Sequence, residues 1–151
     1  MHTNIEITPG TTAHVEAAFA LVKELAEFEN GLDQVSNTAS QMLLDGFGPD
    51  PCFSLLVALE NQVVVGIAIY FTKYSTWKGK GIYLEDIVVT KAHRGKGIGK
   101  MLFDAVWLEA QKQNAHQLHW QVLDWNKEAI SFYKKYPATF DQEWINCKIC
   151  W

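Results

Sequence analysis

A glycine-rich segment, His93-Arg94-Gly95-Lys96-Gly97-Ile98-Gly99-Lys100, offers the clearest chemistry in the 151-residue sequence. It lies between an apolar run, Ile82–Val89, and a stretch whose apolar residues repeat at helical spacing. A turn between a strand and a helix presents several backbone N–H groups, and the helix start adds its positive end. The glycines let the backbone approach an anion, and Arg94 and Lys96 add positive charge. The segment therefore predicts a site for a phosphate or pyrophosphate group.

Two neighbouring carboxylates and one phenol could move protons. Glu85 and Asp86 lie side by side within the apolar run, where a charge is costly unless it is paired or solvated. Neighbouring strand residues point to opposite faces, so the two carboxylates need not act together. The phenol of Tyr133 is protonated at neutral pH and can donate a proton to a leaving group. A tyrosine that packs into the core fits the position of Tyr133 as well.

The cysteines and histidines do not predict a metal site. The count of three cysteines is odd, which argues against a disulfide framework and favours a reducing, cytoplasmic location. Cys147-x-x-Cys150 falls in a predicted strand, where residues three apart point to opposite faces, and no second pair stands at zinc-like spacing. The histidines share no ligand spacing, and three of them are expected at the surface: His14, His93 and His116.

Length and composition indicate one domain. A chain of 151 residues that is 48% hydrophobic can bury a core, and we expect a single domain over residues 1–151. The net charge of -4 argues against a nucleic-acid-binding protein. No apolar run approaches 18 residues, so no membrane span is expected, and Met1–Asn4 do not begin a signal peptide.

Hydrophobic periodicity predicts the elements that would position these groups. Alternating or continuous apolar residues predict six strands: one at Ile5 and Ile7, then Phe53–Leu59, Val63–Phe71, Ile82–Val89, one with Leu118, Trp120 and Val122, and Trp144–Trp151. Helical spacing and caps predict four helices: one with Val15, Phe19, Val22 and Ala26, one from a capping box at Thr38–Gln41 to Gly46, one that buries Ile98, Met101, Leu102, Ala105 and Leu108, and one capped by Asn126. This order predicts an α/β protein with one mixed sheet and helices on both faces.

The glycine pattern matches neither of two common phosphate loops. It lacks the Gly-x-x-x-x-Gly-Lys-Ser/Thr of a Walker loop and the Gly-x-Gly-x-x-Gly of a dinucleotide fingerprint. The pattern Arg-x-x-Gly-x-Gly instead resembles the acyl-coenzyme A loop of the Gcn5-related N-acetyltransferases (GNAT). Further motifs resemble the diamine branch of that family, which contains the spermidine/spermine and thialysine acetyltransferases: Leu21-Val22-Lys23-Glu24-Leu25-Ala26, Asp45-Gly46-Phe47-Gly48, Tyr83-Leu84-Glu85-Asp86, and Trp125-Asn126 with Phe132-Tyr133-Lys134. The similarity runs from about residue 5 to residue 149.

The resemblance implies the acyl-CoA N-acyltransferase fold, with a twisted, mostly antiparallel central sheet, and acetyl-CoA as the cosubstrate. In that family, the strand before the loop pairs its backbone with the pantetheine arm, which assigns this role to Ile87, Val88 and Val89. The other residues that the resemblance assigns to coenzyme A binding are Arg94, Gly95, Lys96, Gly97, Ile98, Gly99, Lys100, Asn126, Lys127, Glu128 and Ala129.

The resemblance also assigns catalytic and amine-binding roles. Tyr133 matches the general acid of the family, and Glu85 matches the residue that contacts the amine and relays its proton. Asp86 is expected to hold neighbouring backbone. The remaining positions that match the amine pocket are Glu29, Asp33, Trp77 and His119.

Two departures from the family bear on the substrate. The acidic residue that polyamine acetyltransferases carry two positions before the tryptophan is Ser75 here, and the Arg-Gly after the catalytic helix is Tyr136-Pro137. The loss of an acidic contact weakens the case for a long polycation. We therefore predict an N-acetyltransferase that acts on a small primary amine, whether a polyamine, a diamine or a thialysine-like amino acid, by direct transfer in a ternary complex.

Two alternatives remain. The acceptor could be a protein lysine or N-terminal amine, or the chain could be a non-catalytic acyl-CoA sensor. The presence of both Tyr133 and Glu85 argues against the sensor. Because the family commonly forms homodimers, we expect a homodimer here.

Overall fold

The computed structural model describes residues 4–151, so Met1–Thr3, on which the signal-peptide expectation partly rests, lie outside the described residues. The chain forms two compact units, one ending at Trp120 and the other Gln121–Trp151. The first unit contains the sheet, three of the helices and the glycine-rich segment.

The first unit is built on a five-stranded sheet in the order β1-β2-β3-β4-β5. Its strands are β1 (Ile5–Pro9), β2 (Ser54–Glu60), β3 (Val63–Ser75), β4 (Gly79–Val89) and β5 (Gln117–His119). Neighbouring strands are antiparallel except β4 and β5, which are parallel. This confirms the predicted mixed, mostly antiparallel sheet.

Helices cover both faces of this sheet. They are α1 (Val15–Phe28), α2 (Ala39–Phe47) and α3 (Ile98–Lys112), while α4 (Lys127–Tyr133) belongs to the second unit. Helices α1 and α2 pack in one cluster with Val57, Ile67 and Val88. On the opposite face, a Cβ atom added to Gly66 would meet Leu102 of α3 at 3.1 Å, so the absence of a side chain there allows α3 to approach closely.

Helix α3 buries a different face from the one predicted. Ile98 and Leu102 are buried as expected, but Met101 and Leu108 are exposed. The other buried residues of α3 are Phe103, Val106 and Ala110. Apolar residues surround much of this helix, so periodicity permits more than one inward face, and the row of every fourth residue from Ile98 is the one that packs.

The N-terminal cap of helix α2 forms as predicted, but the predicted C-terminal end does not. The hydroxyl of Thr38 accepts a hydrogen bond from the backbone N–H of Gln41 at 3.1 Å. The side chain of Gln41 binds Asp45 instead of returning to the cap, so the reciprocal capping box does not form. The helix also passes the predicted stop at Gly46 and ends with Gly48 as its cap.

Two hairpins shape the part of the sheet that leads to the glycine-rich segment. Asn61 and Gln62 both have positive φ, which suits the two-residue turn between β2 and β3. The next hairpin is longer than predicted because Ser75 stabilises its turn: the Ser75 hydroxyl accepts hydrogen bonds from the backbone N–H groups of Trp77 and Lys78. Strands β3 and β4 therefore pair up to the turn.

The prediction of a last strand at Trp144–Trp151 is wrong. Residues 137–151 contain no helix or strand, and their large apolar side chains, such as Trp144 and Ile149, are exposed. A strand requires a neighbour to accept its hydrogen bonds, and β-propensity does not supply one. Cys147 and Cys150 are therefore not on a strand. The strand expected through Val122 is also shorter, because its pairing with β4 ends at His119.

Candidate active site

The glycine-rich segment forms an open cradle of backbone N–H groups. Gly95 and Gly97 have φ angles of +77° and +80°, which side chains disfavour, and a Cβ at either would meet no atom within 4 Å. Gly97 caps α3, and no side chain caps this end. Because the first turn of a helix leaves its N–H groups without intrahelical partners, those of Ile98 and Gly99 face the open space. The cradle fits the pyrophosphate of a nucleotide cofactor.

Arg94 holds the cradle in place rather than projecting into it. Its Nε donates to the carbonyl of Val89 at 2.9 Å, its Nη2 lies 3.4 Å from a carboxylate oxygen of Glu24, and its guanidinium lies over the ring of Phe28. Lys96 is exposed beside it. Arg94 and Lys96 were both expected to contact a phosphate. In the structure, the guanidinium of Arg94 is largely engaged in contacts within the protein.

Glu24 on α1 ties the end of β4 to the cradle. Its carboxylate accepts hydrogen bonds from the Thr90 hydroxyl at 3.2 Å and from the Lys91 backbone N–H at 2.9 Å, in addition to the Arg94 contact. Three donors on one carboxylate fix the chain between strand and loop. Sequence reasoning noted Glu24 only as part of a motif, because its partners are more than 60 residues away.

One edge of β4 is open just before the cradle. The ladder with β5 ends at Tyr83, while the ladder with β3 continues to Val89. Because the N–H of Thr90 donates to Val65 on the β3 side, strand alternation turns the backbone groups of Ile87 and Val89 to the other edge. Within the first unit, no strand pairs with that edge. The backbone of Ile87 and the N–H of Val89 therefore face an edge without a partner strand, whereas the Val89 carbonyl accepts from Arg94 and the backbone of Val88 faces β3. Pairing of these residues with a ligand stays a prediction.

A β-bulge sits at Glu85. Leu84 pairs with Tyr70 and Asp86 pairs with Ile69, so Glu85 is an extra residue without a partner on β3. Its side chain is exposed. Neighbouring strand residues were expected to point to opposite faces, so that Glu85 and Asp86 need not act together. The bulge interrupts this alternation.

Asp86, which the sequence predicted only to hold neighbouring backbone, lies near two other carboxylates. Burial, followed by the charges of Glu85 and Glu29, raises the pKa of Asp86 from 3.8 to about 6. Partial burial also raises the pKa of Glu29. These three residues, the carboxylate cluster, gather negative charge around a mostly buried acid, which suits a cationic ligand. The exposed Asp33 is not among the groups that raise the pKa of Asp86, and its carboxyl accepts a hydrogen bond from Gln34.

An aromatic wall adjoins the carboxylate cluster. The ring of Tyr83 lies 5.3 Å from that of Phe71 and 5.2 Å from that of His119. Burial, followed by the charges of Glu85 and Asp86, raises the pKa of Tyr83, so the wall and the cluster are close. His119 therefore lies beside the cluster, and its role in amine binding stays a prediction.

Trp77 lies away from this group. It is exposed at the tip of the β3–β4 hairpin. Gly79 and Glu85 are six residues apart along β4, which is about 20 Å at ~3.3 Å per residue. The structure does not bring Trp77 to the carboxylate cluster of its own chain.

In the second unit, Asn126 caps α4. Its side-chain oxygen accepts a hydrogen bond from the Ala129 N–H at 3.1 Å, as predicted, and Lys127 donates to the carbonyl of Asp124. Tyr133, at the end of this helix, is buried and meets the ring of Phe132 edge-on. The coenzyme A contacts of Asn126, Lys127, Glu128 and Ala129, and the catalytic role of Tyr133, stay predictions.

Within residues 4–151, no three His, Cys, Asp or Glu side chains are grouped so that they could hold a metal ion. Cys52, Cys147 and Cys150 are free and exposed. Among the described helices, none combines the length and the apolar character needed to cross a membrane.

Comparison with known proteins gives a consistent result. Residues 19–136 match the acetyltransferase (GNAT) family. The thialysine N-epsilon-acetyltransferase of Bos taurus is 43% identical over 78% of this chain and 74% of its own length. The spermidine/spermine N(1)-acetyltransferase-like protein 1 of Homo sapiens is 39% identical over 75% of this chain and 17% of its own length. The solved structure of the aminoglycoside N-acetyltransferase AAC(6')-Iy with CoA shares the fold, with a TM-score of 0.79 and 17% identity over 99% of this chain and 98% of that one.

Proposed function

The chain belongs to the acetyltransferase (GNAT) family, and on this basis we propose that it transfers the acetyl group of acetyl-CoA to the primary amine of a small molecule. One observation carries this proposal. Strand β4 contains the bulge at Glu85 and the partly buried Asp86, continues as an open edge at Ile87 and Val89, and ends at the anion cradle. A cation site and an anion site are thus joined by a short stretch of backbone that lacks a partner strand on one edge within the first unit, although the Val89 carbonyl accepts a hydrogen bond from Arg94.

Acetyl-CoA fits the open edge and the cradle. The cradle N–H groups and the exposed Lys96 would hold the pyrophosphate, and Ile87 and Val89 would pair with the pantetheine arm. When bound, acetyl-CoA would supply the acetyl group as a thioester. A backbone N–H on the open edge would donate a hydrogen bond to the acetyl oxygen as negative charge develops there.

The carboxylate cluster would bind the amine as its ammonium ion and then remove a proton. Asp86 is charged above about pH 6 and holds the cation by attraction. Glu85 is exposed at the bulge, so it can accept the proton and pass it to water. The neutral amine can then attack. In this division of roles, Glu85 is the proton relay, and Glu29 adds negative charge.

Tyr133 is the proposed general acid, which protonates the departing thiolate. Because no cysteine lies in β4 or in the glycine-rich segment, we propose direct transfer in a ternary complex. The family match spans the boundary between the two units, which supports their action as one acetyltransferase domain over residues 1–151.

The named relatives support a diamine, a polyamine or a thialysine-like amino acid as the acceptor. We also propose a homodimer in the cytoplasm. The exposed apolar side chains of residues 144–151 support the homodimer, since such surfaces commonly mark interfaces. The three free cysteines fit the reducing cytoplasm. Light scattering at several protein concentrations measures the oligomeric state.

The direct test is thiol release from acetyl-CoA in the presence of single amines: thialysine, lysine, ornithine, spermidine and an acceptor peptide. We expect release that depends on the amine and that is fastest with a small one. Release with the peptide alone, or with no amine at all, would contradict the proposal.

A further inference from the structure

A single lysine lies at the edge of the otherwise acidic amine site. Lys73 on β3 places its Nζ 2.8 Å from Nδ1 of His119 and 5.2 Å from the centre of the Tyr83 ring. Its ammonium group is therefore held against the aromatic wall in the folded protein. The ring of Tyr83 is the shared neighbour of Lys73 and of the carboxylate cluster.

His119 fixes the direction of this ammonium group. The Lys73 ammonium has only N–H donors, so Nδ1 of His119 must act as the acceptor. Burial, followed by the charge of Lys73, lowers the pKa of His119, which favours the neutral imidazole that can accept. The remaining N–H groups of Lys73 are available to a ligand, because its side chain is exposed.

The site thus has two poles. Asp86 pairs with Ile69 on β3, and Lys73 is four residues further along the same strand, which is about 13 Å at ~3.3 Å per residue. By strand pairing and alternation both residues lie on the face that Tyr83 lines, and the Lys73 ammonium lies 5.2 Å from the centre of the Tyr83 ring. A molecule with an ammonium group at one end and a carboxylate a few carbons away would complement both poles. A diamino acid carries a carboxylate beside its second ammonium group, so that end has no net charge. A polyamine would place only an ammonium group near Lys73, and like charges repel.

We propose that Lys73, positioned by His119, binds the carboxylate of the acceptor and thereby selects a diamino acid over a diamine or polyamine. This inference rests on the proposed acetyl transfer, and it names the substrate class of that site. Lys73 binds the part of the substrate that does not react, so its contribution is to specificity and not to the chemical step.

The test compares two substrates that differ only in the carboxylate: thialysine and its decarboxylated diamine, 2,2'-thiobis(ethylamine). Steady-state thiol release gives kcat/KM for each substrate with the wild-type protein and with Lys73→Met, Lys73→Arg and Lys78→Met. Lys78 is an exposed lysine on the same hairpin, so its substitution controls for the change in net charge.

We expect Lys73→Met to lower kcat/KM for thialysine about tenfold, mostly through KM, and to leave or raise that for the diamine. Lys73→Arg should keep the preference for thialysine, and Lys78→Met should match the wild type. Equal losses on both substrates, or no loss on thialysine, would overturn the role of Lys73. A wild-type protein that acetylates neither substrate would instead refute the proposed function.

Discussion

Replacing Asp86 with asparagine should make the protein more stable at neutral pH and less active. The folded protein raises the pKa of Asp86 from 3.8 to about 6, so the folded state favours its protonated form. The contribution of Asp86 to stability is therefore fully present below pH 3.8 and is lost as the pH rises through about 6. One pH unit corresponds to about 1.4 kcal/mol, so the loss amounts to about 3 kcal/mol.

Asp86→Asn removes this titration and keeps the shape of the side chain. The free energy of unfolding of the variant, minus that of the wild type, should therefore increase by about 2.4 kcal/mol between pH 4 and pH 7.5. Urea denaturation at a series of pH values measures both. Asp50→Asn removes an exposed carboxylate and should stay within about 0.5 kcal/mol of the wild type at each pH. A difference between Asp86→Asn and the wild type that does not change with pH would refute the reasoning.

The same substitution should affect activity in the opposite direction. The cluster attracts an ammonium ion only while Asp86 is charged, so kcat/KM of the wild type should fall as the pH drops below about 6. Asp86→Asn should be slow at pH 7.5 despite its greater stability. A stable, fully active variant would show that Asp86 has no part in amine binding.

Three further predictions concern the cofactor and the leaving group. Gly97→Val would place a side chain at a position with positive φ and into the cradle. Calorimetry should therefore show acetyl-CoA binding at least tenfold weaker, or about 1.4 kcal/mol. Normal affinity in the folded variant would exclude the cradle as the binding site. Glu24→Ala removes the acceptor of three hydrogen-bond donors and should weaken acetyl-CoA binding about tenfold. Glu27→Ala, which changes an exposed residue of the same helix, should not weaken binding. Equal acetyl-CoA affinities of the two variants would limit Glu24 to a structural role. Tyr133→Phe should lower turnover about 10²- to 10⁴-fold and leave acetyl-CoA affinity nearly unchanged; normal turnover would rule it out as the acid.

The strand, glycine turn and helix of the cradle could be predicted from the sequence because their signals are local. The strand, the glycines with positive φ and the helix follow one another directly within residues 79–112. The N-cap at Asn126 is similarly local, because its bond to Ala129 spans only three residues.

The amine part of the site depends on contacts that no local pattern contains. The bulge at Glu85 exists only in the register between β3 and β4. The raised pKa of Asp86 comes first from burial and then from the charges of Glu85 and of Glu29, which follows α1. Lys73 and His119 are 46 residues apart in the sequence. Sequence reasoning identified the charged residues of β4, but it could not predict which of the two carboxylates would be buried.

Two of the wrong predictions about elements have the same cause. The inward face of α3 is chosen by the sheet beneath it, where Gly66 leaves room for Leu102. The segment 144–151 has the composition of a strand but no described strand beside it. In both cases the outcome depends on a packing partner and not on the local propensity.

The central claim is that this site transfers an acetyl group to a side-chain amine, and product analysis tests it most directly. Thialysine is incubated with acetyl-CoA and either the wild-type protein or a Glu85→Gln, Asp86→Asn double variant, and mass spectrometry locates any acetyl group. We expect one acetyl group on the side-chain nitrogen with the wild type and almost none with the double variant. Unmodified thialysine after complete incubation with the wild type, or equal product from both proteins, would contradict the account.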